Sequence, residues 1–275
     1  ALGNGSNGGL AANYTLSGGT HQLTVNQRPL NATLARQYDG TTAAAGSTLS
    51  SFDALQGGET LTMTGSGTAA SANVANGIAM SSNGNLALAD GTGAASNYSL
   101  NSTVINVTQR PINLSGTKIY DGNTTLNNSI VSVSSGLIGI ETLTLTGEVN
   151  TNNANVGSFS ASGGTLNVGS TTINIANGSN GGLAANYAIN DGNFTITQRP
   201  VGVSGTRLYD ATTNAVASDL STHANLVGSE TLNLSGTGTT ASKNVGSNKT
   251  VSVGTLALAD GSNGGLAANY TLSGG

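Results

Sequence analysis

Thr108-Gln109-Arg110-Pro111-Ile112-Asn113-Leu114-Ser115-Gly116-Thr117-Lys118-Ile119-Tyr120-Asp121-Gly122 decides how this chain reads, because its landmarks occur three times. The chain has three prolines, and each closes the same tripeptide: Gln27-Arg28-Pro29, Gln109-Arg110-Pro111 and Gln198-Arg199-Pro200. Eleven residues after each Gln stands a Tyr-Asp pair, at Tyr38-Asp39, Tyr120-Asp121 and Tyr209-Asp210. Thirty-one residues after each Arg comes a Glu-Thr-Leu, at Glu59, Glu141 and Glu230. An Asn-Val step follows, ending at Val74, Val156 and Val245, and then an Asn-Tyr, ending at Tyr98, Tyr187 and Tyr270. A tandem repeat of this kind governs every later inference.

The fold class follows from the period within each copy. Leu61 and Met63, Leu143 and Leu145, and Leu232 and Leu234 alternate with Thr, Asn or Ser, the pattern of a half-buried strand. A second alternation runs through each Gln-Arg-Pro and changes parity there. Ile105, Val107 and Gln109 share one face, whereas Ile112, Leu114, Gly116, Lys118 and Tyr120 share the other. The closing strand of one module is therefore expected to run directly into the opening strand of the next, with proline interrupting the ladder. The expectation is an all-β tandem array of small antiparallel β-sandwich-like modules forming an extended rod, each module advancing about 30–40 Å for strands of about 10 residues.

Residues 1–26 read as the end of a preceding repeat, 27–108 as module 1, 109–197 as module 2, and 198–275 as module 3 lacking its closing strand. Residues 1–19 match 257–275 except at Gly3/Ala259 and Asn4/Asp260, which suggests a window on a longer array. The spacing from Asn-Val to Asn-Tyr varies, so the segments around 75–97, 157–186 and 246–269 are expected to hold tolerant loops. Asp210-Ala211 replaces the Asp-Gly of the other copies, so a left-handed glycine is not expected to be obligatory in that turn.

Composition narrows the function classes. A net charge of −4 with eight scattered basic residues lacks the footprint of a nucleic-acid binder. No apolar run approaches the length of a membrane span, so no membrane insertion is expected. The absence of cysteine is compatible with export without disulfides. With two histidines at non-equivalent places and no cysteine, no zinc site assembles, and neither common calcium-loop pattern occurs. No cofactor is expected.

The charged and aromatic residues are mostly absorbed by the repeat. Arg28/Arg110/Arg199, Arg36/Lys118/Arg207, Asp39/Asp121/Asp210 and Glu59/Glu141/Glu230 are four equivalent sets. Paired carboxylates can do acid–base chemistry. Here each acid comes with a basic residue in its own module, which suits framework ion pairs, including an Arg fork on a carboxylate near the joint. All seven tyrosines fall in repeat motifs and read as packing anchors of their modules with bonded hydroxyls. No catalytic residues are expected. Asn13, Asn97 and Asn269 begin Asn-Tyr-Ser/Thr sequons and are candidates for glycosylation in a protein that passes such a pathway.

The quoted stretch, with its later Glu-Thr-Leu, Asn-Val-Gly and Ala-Ala-Asn-Tyr, resembles the YDG repeat of filamentous-haemagglutinin-like exoproteins. That resemblance implies a secreted or surface-attached bacterial protein, often a two-partner-secretion adhesin, whose modules form a repetitive shaft. The expected function is length and stiffness in an extracellular fibre. Its partners would be neighbouring copies of the array, by covalent continuation or by strand addition. The rival is a module that binds host or matrix glycans or a receptor through the variable segments.

Overall fold

The computed structural model describes residues 1–16, 18–20, 22–161 and 172–273. His21, the middle of the variable stretch 157–186 and the last two residues lie outside these. Among the described residues the chain forms 24 strands joined by turns and short 3-10 segments, eight strands to each copy in the same order. They group into two compact units. One contains residues 1–35, 43–70 and 79–105; the other contains 36–42, 71–78 and 106–275.

Module 2 shows the construction most completely. Its opening strand, Arg110–Ile119, and its closing strand, Tyr187–Thr197, lie side by side. Val131–Ser135 flanks the opening strand and Gly157–Ala161 flanks the closing one, both antiparallel. Two smaller ladders, Thr125–Asn127 with Glu148–Asn150 and Leu143–Thr146 with Asn174–Asn177, supply the other face. Leu114 and Phe194 from the first sheet meet Leu126, Leu145, Val149 and Ile173 from the second layer in one buried cluster. Apolar side chains at every second position make this possible, because alternate residues of a strand face opposite sides.

One pairing departs from the expected antiparallel module. Opening and closing strands run parallel, with Tyr187 beside Arg110 and Thr197 beside Ile119. Module 3 repeats this where Tyr270–Leu272 lies parallel to Arg199–Val201. The long excursion between the two strands supplies the crossover that parallel pairing needs. The sheets are therefore mixed, and the chain passes through module 2 from one end to the other.

A single glycine carries the chain from one ladder to another in each copy. Gly65, Gly147 and Gly236 hold φ of 78°, 84° and 83° between consecutive short strands. A Cβ there would meet the carbonyl oxygen of Asn85, Thr172 or Thr255 at 2.1–2.2 Å, a distance no side chain tolerates. The segments expected to hold tolerant loops contain strands as well: Ala75–Ser82 and Ala87–Asp90, Asn174–Asn177, and Val251–Ser252 and Ala257–Asp260. In module 1, Leu30, Leu61 and Tyr98 are buried together against Phe52, Leu55 and Leu88.

Candidate functional site

The repeated residues converge on the joints. Gln109 and Gln198 are the single residues between a closing strand and the next opening strand. Their side-chain amides reach the turn before the closing strand of the module they open, Gln109 Nε2 donating to Ala185 O and Gln198 Nε2 to Ala268 O, each at 3.2 Å. Gln27 does the same to Ser96 O at 3.0 Å. Pro29, Pro111 and Pro200 each occupy the second position of their opening strand.

The arginines of this motif do not clasp a carboxylate, contrary to the expected fork. Arg28 Nε donates to Ala54 O and Arg110 Nε to Gly136 O, each at 2.7 Å, and Arg199 Nε donates to Asn225 O. All three acceptor residues have left-handed backbone, with φ of 56°, 100° and 65°. A carbonyl turned out of the ladder by such a residue needs a donor, and the guanidinium supplies it.

The second basic set pairs with the Tyr-Asp turn. Arg36 bonds Asp39, Arg207 bonds Asp210, and Lys118 Nζ sits 2.7 Å from Asp121 Oδ1. Lys118 is buried, and its remaining hydrogens go to Asn123 O and Thr125 O at 2.7 and 3.0 Å. Each Asp also accepts a backbone N–H two residues on, from Thr41, Asn123 or Thr212, at 2.9 Å. The Thr212 N–H and the Arg207 guanidinium hold the Asp210 carboxyl down to about 2. Asp39 also lies below the ordinary range, because its bonds from Thr41 and Arg36 outweigh the opposing effect of burial. The residue after each Asp is left-handed in all three copies: Gly40 at 76°, Gly122 at 77° and Ala211 at 66°. The turn keeps the conformation natural to glycine even where alanine stands.

Between these turns and the next module lies a three-residue clamp, built twice. Tyr38 Oη donates to Glu141 Oε1 at 2.7 Å, and Tyr187 Oη donates to Glu141 Oε2 at 2.5 Å. One copy further on, Tyr120 Oη donates to Glu230 Oε1 at 2.7 Å and Tyr270 Oη to Glu230 Oε2 at 2.6 Å. The tyrosine rings meet edge to face, with centroids 5.4 Å apart in both joints. Burial, and then the bond to the glutamate, pushes the Tyr120, Tyr187 and Tyr270 hydroxyls up to about 12. Tyr38 is raised for the same reasons in the same order.

The tyrosines of the Tyr-Asp motif are thus anchors between modules, not anchors of their own module's core. Tyr120 is buried among Ile196, Val201, Leu232 and Tyr270, three of which belong to module 3. An asparagine completes each joint. Asn186 Oδ1 accepts from Val74 N at 2.9 Å while its amide donates to Asn73 Oδ1 at 3.0 Å. Asn269 repeats both bonds with Val156 N and Asn155 Oδ1, each at 2.9 Å. Sequence reasoning missed this role, although Asn-Val and Asn-Tyr both recur at every copy. Asn269 is buried, whereas Asn13 and Asn97 are exposed. A glycan on Asn269 would displace the bonds of the joint.

The half-joints at the two ends differ from the complete ones. Glu59 accepts from Tyr98 in module 1, with a single tyrosine on the carboxylate. Tyr209 is 59% exposed. The geometry is that of a fastener: both oxygens of Glu141 and of Glu230 are taken up by hydroxyls from separate stretches of chain. Among the described residues no three of His, Cys, Asp and Glu are grouped to hold a metal ion, and no helix is long and apolar enough to cross a membrane.

Comparison with known families finds a match to the YDG domain over residues 20–105 and 194–275. Together the two segments cover more than half of the chain. Each begins within the stretch that leads into a Gln-Arg-Pro, and the copy between them carries the same clamp residues. No curated protein and no solved structure matches.

Proposed function

The chain belongs to the YDG domain family, and from that premise we propose that it is a structural repeat segment, the shaft of a secreted or cell-surface bacterial adhesin or extracellular fibre. Its task is to set length and resist bending between whatever lies at either end. The observation that carries this reading is the duplicated joint. The Tyr38–Glu141–Tyr187 and Tyr120–Glu230–Tyr270 clamps use equivalent atoms at nearly equal distances. A chain selected for a single binding or catalytic centre has no reason to build the same fastener twice.

The parallel pairing of opening and closing strands supports the reading further, because chain that leaves at the far end of a module can add the next without doubling back. A ten-residue opening strand such as Arg110–Ile119 spans about 33 Å, which sets the advance per module. The partners under this reading are neighbouring repeats in the extracellular space. Electron microscopy of native material, combined with the mass of the intact polypeptide, tests it. Thin continuous fibres with a regular axial repeat are the expected result. Compact isolated particles that bind a glycan array through one variable segment would overturn it.

A further inference from the structure

Both complete joints press two phenols against one carboxylate, an arrangement with chemistry of its own. Tyr38 and Tyr187 are buried, as are Tyr120 and Tyr270. In each pair the ring centroids stand 5.4 Å apart, with the planes crossed at 80° and 78°. The hydroxyl ends of the rings converge, because the two oxygens of Glu141, and of Glu230, each accept one hydroxyl at 2.5–2.7 Å. The tyrosine of the closing strand is fixed a second time. Its oxygen accepts the Ile138 N–H at 3.2 Å in one joint and the Val227 N–H at 3.0 Å in the other.

The chain has no Trp and no Cys, so its phenols are the side chains that give up a single electron most readily. An electron leaves a buried ring without the ring being exposed, but the proton that goes with it needs a neighbouring base. The Tyr120, Tyr187 and Tyr270 hydroxyls are pushed up to about 12, so these rings are neutral phenols at ordinary pH. Each has a carboxylate oxygen already in place to receive its proton, within the reach a general base requires.

The geometry also selects the bond that would follow. An oxidised phenol shares its unpaired electron between the oxygen and the ring carbons ortho and para to it. The para carbon carries Cβ, which leaves the ortho carbons, and these flank the hydroxyls that converge on the glutamate. The two rings are in edge-to-face contact at that end, and two directly bonded rings accommodate a steep angle between their planes.

We propose that each Tyr–Glu–Tyr clamp is a site of oxidative cross-linking, at which a one-electron oxidant joins Tyr38 to Tyr187 and Tyr120 to Tyr270 as dityrosine, with Glu141 or Glu230 relaying the phenolic protons. One electron leaves each ring, and each phenolic proton passes through the carboxylate to solvent. A carbon–carbon bond forms between one ortho carbon of each ring. The ortho hydrogens of the coupled rings then move to the oxygens as protons, restoring two phenols. Per joint, two electrons go to the oxidant and two protons to solvent, so the pair is lighter by two hydrogen atoms. Both hydroxyls of the product flank the new bond, where the same carboxylate still receives them. The bond ties the Tyr-Asp turn of one module to the closing strand of the next, converting a fastener of hydrogen bonds into a covalent one.

Photo-oxidation of the dilute 275-residue chain with tris(bipyridyl)ruthenium(III), persulfate being the terminal electron acceptor, tests this. The expected product is a monomeric chain lighter by four hydrogen atoms, with dityrosine fluorescence and peptide masses that place the bonds at Tyr38–Tyr187 and Tyr120–Tyr270. Tyr38→Phe abolishes the first bond and leaves the second. Glu141→Gln keeps the shape of the acceptor but not its basicity, and slows the first bond by about 100-fold, the low end for a positioned general base. The second joint of the same molecule reacts at the parent rate. Exchange protection of the Val74 N–H, held by Asn186 Oδ1 at 2.9 Å, shows that the altered joint stays docked, and Glu230→Gln makes the reciprocal comparison. An oxidised chain without dityrosine overturns the proposal, as does dityrosine formed only through the exposed Tyr14 and Tyr209. A Tyr38–Tyr187 rate undiminished in docked Glu141→Gln also overturns it. Any of these failures leaves the shaft reading standing, because that is judged on native fibres.

Discussion

Replacing Tyr120 by Phe removes one oxygen from a buried joint and leaves the ring in place. Tyr120 is 4% exposed, and its hydroxyl donates to Glu230 Oε1 at 2.7 Å. A hydrogen bond to a charged acceptor contributes about 1.5–3 kcal/mol. The glutamate keeps its second donor, Tyr270, at 2.6 Å, so the lower half of that range applies. Tyr120→Ala adds the loss of a buried ring, about 3–5 kcal/mol, and of its edge-to-face partner at 5.4 Å, about 0.5–1.5 kcal/mol. The location of the loss is as telling as its size. Because the ring sits against Val201, Leu232 and Tyr270, the change uncouples modules 2 and 3 and leaves the module 2 core of Leu114, Leu126 and Phe194 intact. Urea unfolding followed by amide hydrogen exchange reads both quantities. The Tyr120 N–H, bonded to Thr197 O at 2.9 Å, should lose protection while Leu126 and Val149 keep theirs. A Phe variant as stable as the parent to within about 0.5 kcal/mol, or one in which module 2 unfolds as a whole, would refute the clamp.

Four further outcomes follow from the same geometry. Asn269→Ala strands the Val156 N–H and should cost about 1–3 kcal/mol in a denaturant melt, with the same loss for Asn186→Ala at Val74. Ala211→Gly relieves a left-handed alanine, about 1–2 kcal/mol, against about 0.5–1 kcal/mol of added chain entropy, and should raise module 3 stability by up to about 1 kcal/mol. Tyr120, Tyr187 and Tyr270 titrate at about 12 in the fold and near 10 when unfolded, so their stabilisation is complete below pH 10 and disappears as pH rises towards 12. An alkaline melt in which their tyrosinate absorbance rises together with loss of structure checks this; ionisation near pH 10 with the fold intact would contradict it. At the acid end, Asp210 titrates at about 2 against an ordinary 3.8, so its contribution is present above pH 3.8 and lost as pH falls through about 2, which an acid titration of Asp210→Asn against the parent resolves.

The strand that runs through each Gln-Arg-Pro was legible in the sequence because a change of parity at Gln109 is visible in a single copy. An ion pair between Asp121 and a basic residue of its own module was legible too, and the fold identifies that residue as Lys118. The Glu141 clamp was not. Its tyrosines lie 103 and 46 residues away, and spacing within a module cannot say which of seven tyrosines meets a carboxylate. The basic residues drew the glutamates toward an ion-pair reading, whereas Arg110 is engaged by a left-handed carbonyl that no sequence pattern announces. Parallel pairing of Arg110–Ile119 with Tyr187–Thr197 was also hidden, because a connection of more than 60 residues permits either direction. Asn13, Asn97 and Asn269 were read as sequons and Asn186 was given no role, and only the folded joint reveals Asn186 and Asn269 as a lock on the backbone of the preceding module.

The parallel ladder between Arg110–Ile119 and Tyr187–Thr197 has a mechanical meaning. Tension drawn along the chain pulls the first strand from its Arg110 end and the second from its Thr197 end, and these ends lie on opposite sides of the ladder. The load falls across every rung together, in shear. An antiparallel pair held at adjacent ends would open like a zipper, one bond at a time. Module 2 therefore meets stretching with its longest ladder as a single unit of resistance.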